Sequence, residues 1–104
     1  HMKKLVLLAA VSMSFVASPA WADPEAAMNK AGCLACHAKD KKMVGPSFKE
    51  IAAKYKGQDA TATLMQKVRT GGKGSFGPIP MAPNPPEKIN DADLKSAVEF
   101  ILKS

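Results

Sequence analysis

Histidine is almost missing from this 104-residue chain. His1 precedes Met2 and reads as a cloning remnant, which leaves His37 as the single native imidazole. Cysteine is nearly as scarce, with only Cys33 and Cys36. A structural zinc site takes four ligands from thiolates and imidazoles, and three neighbouring donors with no second pair do not make one. A disulfide between these two would close so small a loop that it would barely constrain the unfolded chain, which makes it a poor structural staple. No stretch alternates apolar and polar residues with period two, so strands are not expected. The positive surplus, formally +6, is spread rather than gathered in a block, which suits an acidic protein surface better than a nucleic-acid groove. No internal repeat and no second domain are visible.

What is present begins with an export plan. Met2-Lys3-Lys4 is a short basic start, Leu5 to Val16 is apolar, and Ala20-Trp21-Ala22 is a small-x-small cleavage site. Together these predict a secretory signal peptide, with residues 1–22 (cloning residue plus signal) removed and 23–104 forming one small domain. The apolar run is too short, and too broken by Ser12 and Ser14, to span a bilayer comfortably, so no stable membrane insertion is expected after cleavage. A domain of this size buries a limited core and needs a staple.

The mature segment reads as all-α, about four short helices. Asp23-Pro24-Glu25 opens the first, with an acidic cap, proline in the first turn and an acid near the positive helix end; it runs toward Gly32. Ser47-Phe48-Lys49-Glu50 has capping-box spacing and starts a second that stops near Gly57. Asp59 is expected to cap a third, through Leu64, Met65 and Val68, ending at Gly71-Gly72. Gly71 to Lys88 holds five prolines and four glycines, so no regular element is expected there. Asn90 caps the last helix, with Ile89 and Leu94 at hydrophobic-staple spacing. Its apolar positions, Leu94, Ala97, Val98, Ile101 and Leu102, make one face that must pack on something.

The chemistry is concentrated in Cys33-Leu34-Ala35-Cys36-His37, a C-x-x-C-H pentapeptide and the attachment pattern of a c-type haem. Each thiol can add to one porphyrin vinyl group, and the histidine can then bind iron. A redox dithiol of the thioredoxin kind expects a strand before its cysteines, where this chain has a helical pattern. An ordinary cysteine pair beside a chance histidine is the remaining alternative. Bis-histidine ligation is impossible within one chain, so a sixth ligand must be methionine, lysine, water or nothing. Met28 and Met65 stand at core-like helical positions, where thioethers are usually filler. Met43 is too near His37 in sequence to swing easily to the other haem face. Met81 differs, because it sits in Gly77-Pro78-Ile79-Pro80-Met81-Ala82-Pro83-Asn84, where prolines fix the backbone and reduce the entropy lost on holding a soft ligand in place. A surface linker whose methionine merely packs on the core is the competing reading.

The Gly32-Cys33-x-x-Cys36-His37, Val44-Gly45-Pro46, Gly77-Pro78-Ile79-Pro80-Met81 and Asn84 elements resemble the short bacterial class I cytochromes c that donate electrons to nitrite reductase and other periplasmic oxidoreductases. The resemblance covers essentially the whole of residues 23–104. It implies the class I cytochrome c fold, wrapped around one haem c attached through Cys33 and Cys36. It further implies His37 and Met81 as iron ligands, the Pro46 carbonyl as acceptor of the proximal imidazole proton, and Asn84 as a hydrogen-bonding neighbour of the methionine sulfur. Two haem-contacting positions depart from the family. Phe76 stands where the family has a tryptophan whose indole N–H meets a haem propionate, so that contact is lost or supplied by Lys67 or Arg69. Lys67 stands where the family has arginine, and an ammonium cannot form the same planar fork. At the crossing of first and last helices, Met28 and Phe100 stand where the family has two aromatics.

The expected function is therefore that of a soluble periplasmic one-electron carrier, not an enzyme, and a monomer. Its expected partners are acidic redox proteins such as nitrite reductase, a terminal oxidase or a quinol-oxidising complex, and not nucleic acid. Lys39, Lys41, Lys42 and Lys73 would ring an exposed haem edge and give a weak, salt-sensitive docking patch. The rival is a haem peroxidase or gas sensor with a labile sixth ligand, which would need a distal acid–base residue that no spare histidine supplies.

Overall fold

The computed structural model describes residues 23–104, and the expected signal peptide lies outside the described residues. Four helices follow one another: α1 (Pro24–Ala31), α2 (Phe48–Lys54), α3 (Thr61–Thr70) and α4 (Asp91–Leu102). A single 3₁₀ turn, Cys33–Ala35, follows α1. Among the described residues there is no strand beyond one isolated antiparallel bridge between Gly72 and Met81, and no helix is long and apolar enough to cross a membrane.

Local chemistry sets most of the helix ends. Asp23 accepts from the Ala26 amide at 3.0 Å with proline behind it. α1 stops at Gly32, whose φ of +88° lets it take the left-handed cap that a side chain would resist. Ser47 accepts from the Glu50 amide at 3.0 Å to start α2, and Asn90 accepts from the Asp93 amide at 2.8 Å to start α4. The third start corrects the expectation for Asp59. α3 begins at Thr61 behind Ala60, with no side-chain cap. Ala60 is buried and Asp59 is exposed; burial of the alanine methyl in the core moves the helix start past the aspartate and leaves its carboxylate in water.

These helices have 7 to 12 residues, too few to persist alone in water, so packing must hold them. α4 is the common partner and contacts α1, α2 and α3. The predicted apolar face does this: Leu94, Ala97 and Val98 are buried against Met28, Phe48 and Leu64. Ile89 is buried with Leu94, as the staple requires. Burial of each large side chain contributes roughly 1.5–3 kcal/mol. Met28 belongs to this core, whereas Met65 is only partly buried against it and Met43 is exposed. Phe100 meets Phe48 edge-on, with centroids 6.4 Å apart.

Candidate haem site

The helices leave a cleft of about 460 Å³ that α4 floors with Leu94, Ala97, Val98 and Ile101. Its size lies within the range of small-molecule and cofactor sites. Cys33, Cys36, His37 and Pro46 line it from the first half of the chain, and Lys67, Phe76 and Met81 from the second. Asn84 is buried but is not among the lining residues.

Cys33 and Cys36 stand as free thiols. The 3₁₀ turn brings them to the same cleft, with the Cys36 and His37 amides both donating to the Cys33 carbonyl. Burial pushes the Cys33 thiol above its usual range, offset in part by its backbone hydrogen bond and by Lys88.

His37 is held from three sides. Its Nδ1 lies 2.8 Å from the Pro46 carbonyl oxygen; a carbonyl only accepts, so Nδ1 is the donor, and in the neutral ring that tautomer leaves the lone pair on Nε2. The Phe48 ring stacks on the imidazole, with centroids 5.9 Å apart and planes inclined by 24°. Gly45 lies so close that an added Cβ would stand 2.5 Å from imidazole Cε1. The backbone places these groups. Gly45 donates to the Cys36 carbonyl at 2.8 Å and Phe48 to the Ala38 carbonyl at 2.9 Å, folding residues 38–48 back along the pentapeptide.

Met81 is held by the end of α3. Gly72 and Met81 exchange both backbone hydrogen bonds, at 3.0 and 2.8 Å. An added Cβ on Gly71 would strike the Met81 carbonyl oxygen and the Pro83 nitrogen. Asn84 closes the loop: its amide donates to the Val68 carbonyl at 3.0 Å, and its side-chain Nδ2 donates to Ala82 at 3.1 Å and to Val68 at 3.4 Å. The bonds Asn84 makes are thus to carbonyls that shape the methionine loop.

At the cleft mouth, Lys67 Nζ donates to the Ser75 hydroxyl at 2.8 Å. Lys54 Nζ donates to the Ser75 carbonyl at 2.9 Å and stands 4.9 Å from the centroid of the Phe76 ring. The expectation that Arg69 could serve a propionate is corrected, because its guanidinium is committed to the Asn84 and Ile89 carbonyls and to Asp91. Gly45, Phe48, Gly71 and Lys54 had drawn no functional reading from the sequence. Only Gly45, beside Pro46 in the quoted motif, carried any signal there.

The donor set fits a haem. Two free thiols, an imidazole with Nδ1 satisfied and a thioether converge on one apolar cleft whose floor holds no unsatisfied buried polar atom. Residues 22–104 match the family model for cytochrome c. The chain belongs to the short bacterial class I c-type cytochromes. It is 42% identical to cytochrome c-551 of Pseudomonas aeruginosa, over 97% of both chains. It is 50% identical to cytochrome c2 of Rubrivivax gelatinosus, over 80% of this chain and 99% of that one. The crystal structure of Nitrosomonas europaea cytochrome c552 superposes with a TM-score of 0.66 at 41% identity, covering 75% of this chain and 95% of that one. As a c-type cytochrome, the chain carries one haem c bound covalently through Cys33 and Cys36 and is an electron carrier.

Proposed function

We propose that this cytochrome is a periplasmic one-electron shuttle whose iron is ligated by His37 Nε2 and Met81 sulfur. The observation that carries the reading is the bond between His37 Nδ1 and Pro46 at 2.8 Å, made in the same cleft that Met81 lines. The haem supplies the reversible one-electron change at iron, and a thioether ligand raises its potential relative to two nitrogen ligands.

The chain's own residues do the rest. Pro46 holds the imidazole proton and so aims Nε2 away from the loop. Phe48 and Gly45 prevent the ring from tilting. Gly72 and the prolines around Met81 hold the loop that would present the sulfur, and with His37 on the other side the two residues would hold the iron and leave no place for a substrate. Lys67, which lines the cleft with Lys42 and Lys73, is suited to a propionate. The signal peptide read over residues 1–22 directs export. Exposed Lys42 and Lys73 line the cleft with exposed Val44, Phe76 and Ile79, and with exposed Lys39, which stands over the Phe100 ring, and Lys41 they suit brief docking to acidic respiratory oxidoreductases such as nitrite reductase.

The test is Met81→Ala in the haem-loaded protein. The haem stays attached, the reduction potential falls and the ferrous protein binds carbon monoxide readily. An unchanged potential assigns the sixth ligand elsewhere. Ready carbon monoxide binding by the unaltered protein would favour the peroxidase or gas-sensor reading.

A further inference from the structure

Arg69 carries a commitment that the ligand set leaves unexplained. It projects from the last turn of α3, and one guanidinium makes three bonds. Nη1 donates to the Asn84 carbonyl at 3.1 Å and to the Ile89 carbonyl at 2.7 Å, and Nη2 reaches Asp91 Oδ1 at 2.6 Å. The first two acceptors are the ends of the segment that leads from the methionine loop into α4. Asn84 and Ile89 are themselves buried, so these carbonyls have little access to water if Arg69 withdraws.

The three contacts are unequal. Asp91 has a side chain 86% exposed, and an ion pair in that much water is worth little. A charged donor on a partly buried carbonyl is worth about 1.5–3 kcal/mol, and removing it leaves the acceptor unsatisfied. Only two residues, Ala82 and Pro83, separate Met81 from Asn84, so slack at Asn84 passes to Met81 with little absorbed between.

We infer that Arg69 is a positioning residue for the axial thioether: by tying Asn84 and Ile89 to α3, it sets how tightly Met81 is held on the iron. This rests on Met81 as the sixth ligand. One guanidinium nitrogen, Nη1, serves both carbonyls through its two N–H groups, while Nη2 turns to Asp91; an apolar side chain at this position supplies neither bond.

The experiment is cyanide titration of the ferric, haem-loaded protein at fixed pH, in which cyanide must displace Met81. Arg69→Met, which removes both bonds to the loop carbonyls, binds cyanide at least about tenfold more tightly than the unaltered protein, the equivalent of one charge-assisted bond. Asp91→Asn, which removes only the exposed ion pair, changes the affinity less than about twofold. Ala31→Gly, a destabilisation in α1, leaves it unchanged. Unaltered affinity in Arg69→Met overturns the inference. So does an equal rise in Ala31→Gly, since the effect would then follow overall stability. Hydrogen exchange of the unaltered protein needs no variant to fold. The Met81 and Asn84 amides exchange only through global unfolding if the clamp holds, and exchange through easier local opening rejects it. Met81→Ala separates the two readings. If the far-red sulfur-to-iron band of the ferric protein survives that substitution, the ligand assignment fails, whatever Arg69 does.

Discussion

The imidazole of His37 and the backbone of Gly45 are packed so closely that no Cβ fits between them. That contact, with the 2.8 Å bond to Pro46 on the same ring, leaves His37 one orientation in the cleft.

Gly45→Ala therefore forces the ring to move or the loop to open. The cost expected of such overpacking is about 1–3 kcal/mol, read as a lower midpoint in denaturant unfolding of the haem-loaded protein. The proton signal of imidazole Nδ1–H shifts as the Pro46 bond lengthens. A midpoint and a proton signal that both stay in place would show that the clamp has spare room.

Gly71→Ala strikes the other half of the site. Gly71 has a φ of +69° and faces the Met81–Pro83 backbone, so the methyl meets an unfavourable conformation and a steric clash together. Stability falls by at least about 1 kcal/mol, and the ferrous protein gains affinity for carbon monoxide because the methionine loop is displaced. Loss of stability with no gain in carbon monoxide binding would place the strain away from Met81.

Ser47→Ala tests the entry to α2. The hydroxyl accepts from the Glu50 amide and also donates to Glu50 Oε1 at 3.3 Å, and Ser47 is only 2% exposed. Loss of the cap costs about 1 kcal/mol or more. Because Phe48 is the next residue and stacks on His37, the imidazole signals respond too, whereas a surface cap would leave them alone.

Electron transfer to an acidic redox protein slows as ionic strength rises. The exposed lysines near the cleft act through water, and at about 0.1 M salt their field is screened over roughly 10 Å. Stopped-flow rates that stay flat from low to high salt would remove the lysines from the docking step. Neutralising Lys73 alone reduces the salt dependence without altering the haem spectrum.

Lys54→Met tests the support of Phe76. Lys54 holds the Ser75 carbonyl and covers the Phe76 ring, both at an exposed surface, so the stability loss stays below about 1 kcal/mol. Hydrogen exchange in residues 72–77 quickens, while that in α4 does not.

The signals that could be read along the chain were those that act within a few residues. Asp23, Ser47 and Asn90 cap helices because a side-chain oxygen reaches an amide three residues on, and the α4 face repeats with the helix period. The C-x-x-C-H spacing likewise encodes haem attachment within one turn, and the proline-braced loop marked Met81. Contacts between distant segments carried no such mark. Asp59 had the right neighbours for a cap, yet burial of Ala60 moved the start of α3 past it. Arg69 could equally have reached toward the cleft, and only the approach of Asn84 and Ile89 to α3 decided otherwise. The same holds for Lys54 over Phe76 and for the stacking of Phe48 on His37. The sequence by itself determined which groups bind the haem covalently and where the helices lie, because covalent attachment and capping are local. The tertiary structure alone decided which side chains hold His37 and Met81 in place, because those contacts join residues that meet only when α4 gathers the other helices around one cleft.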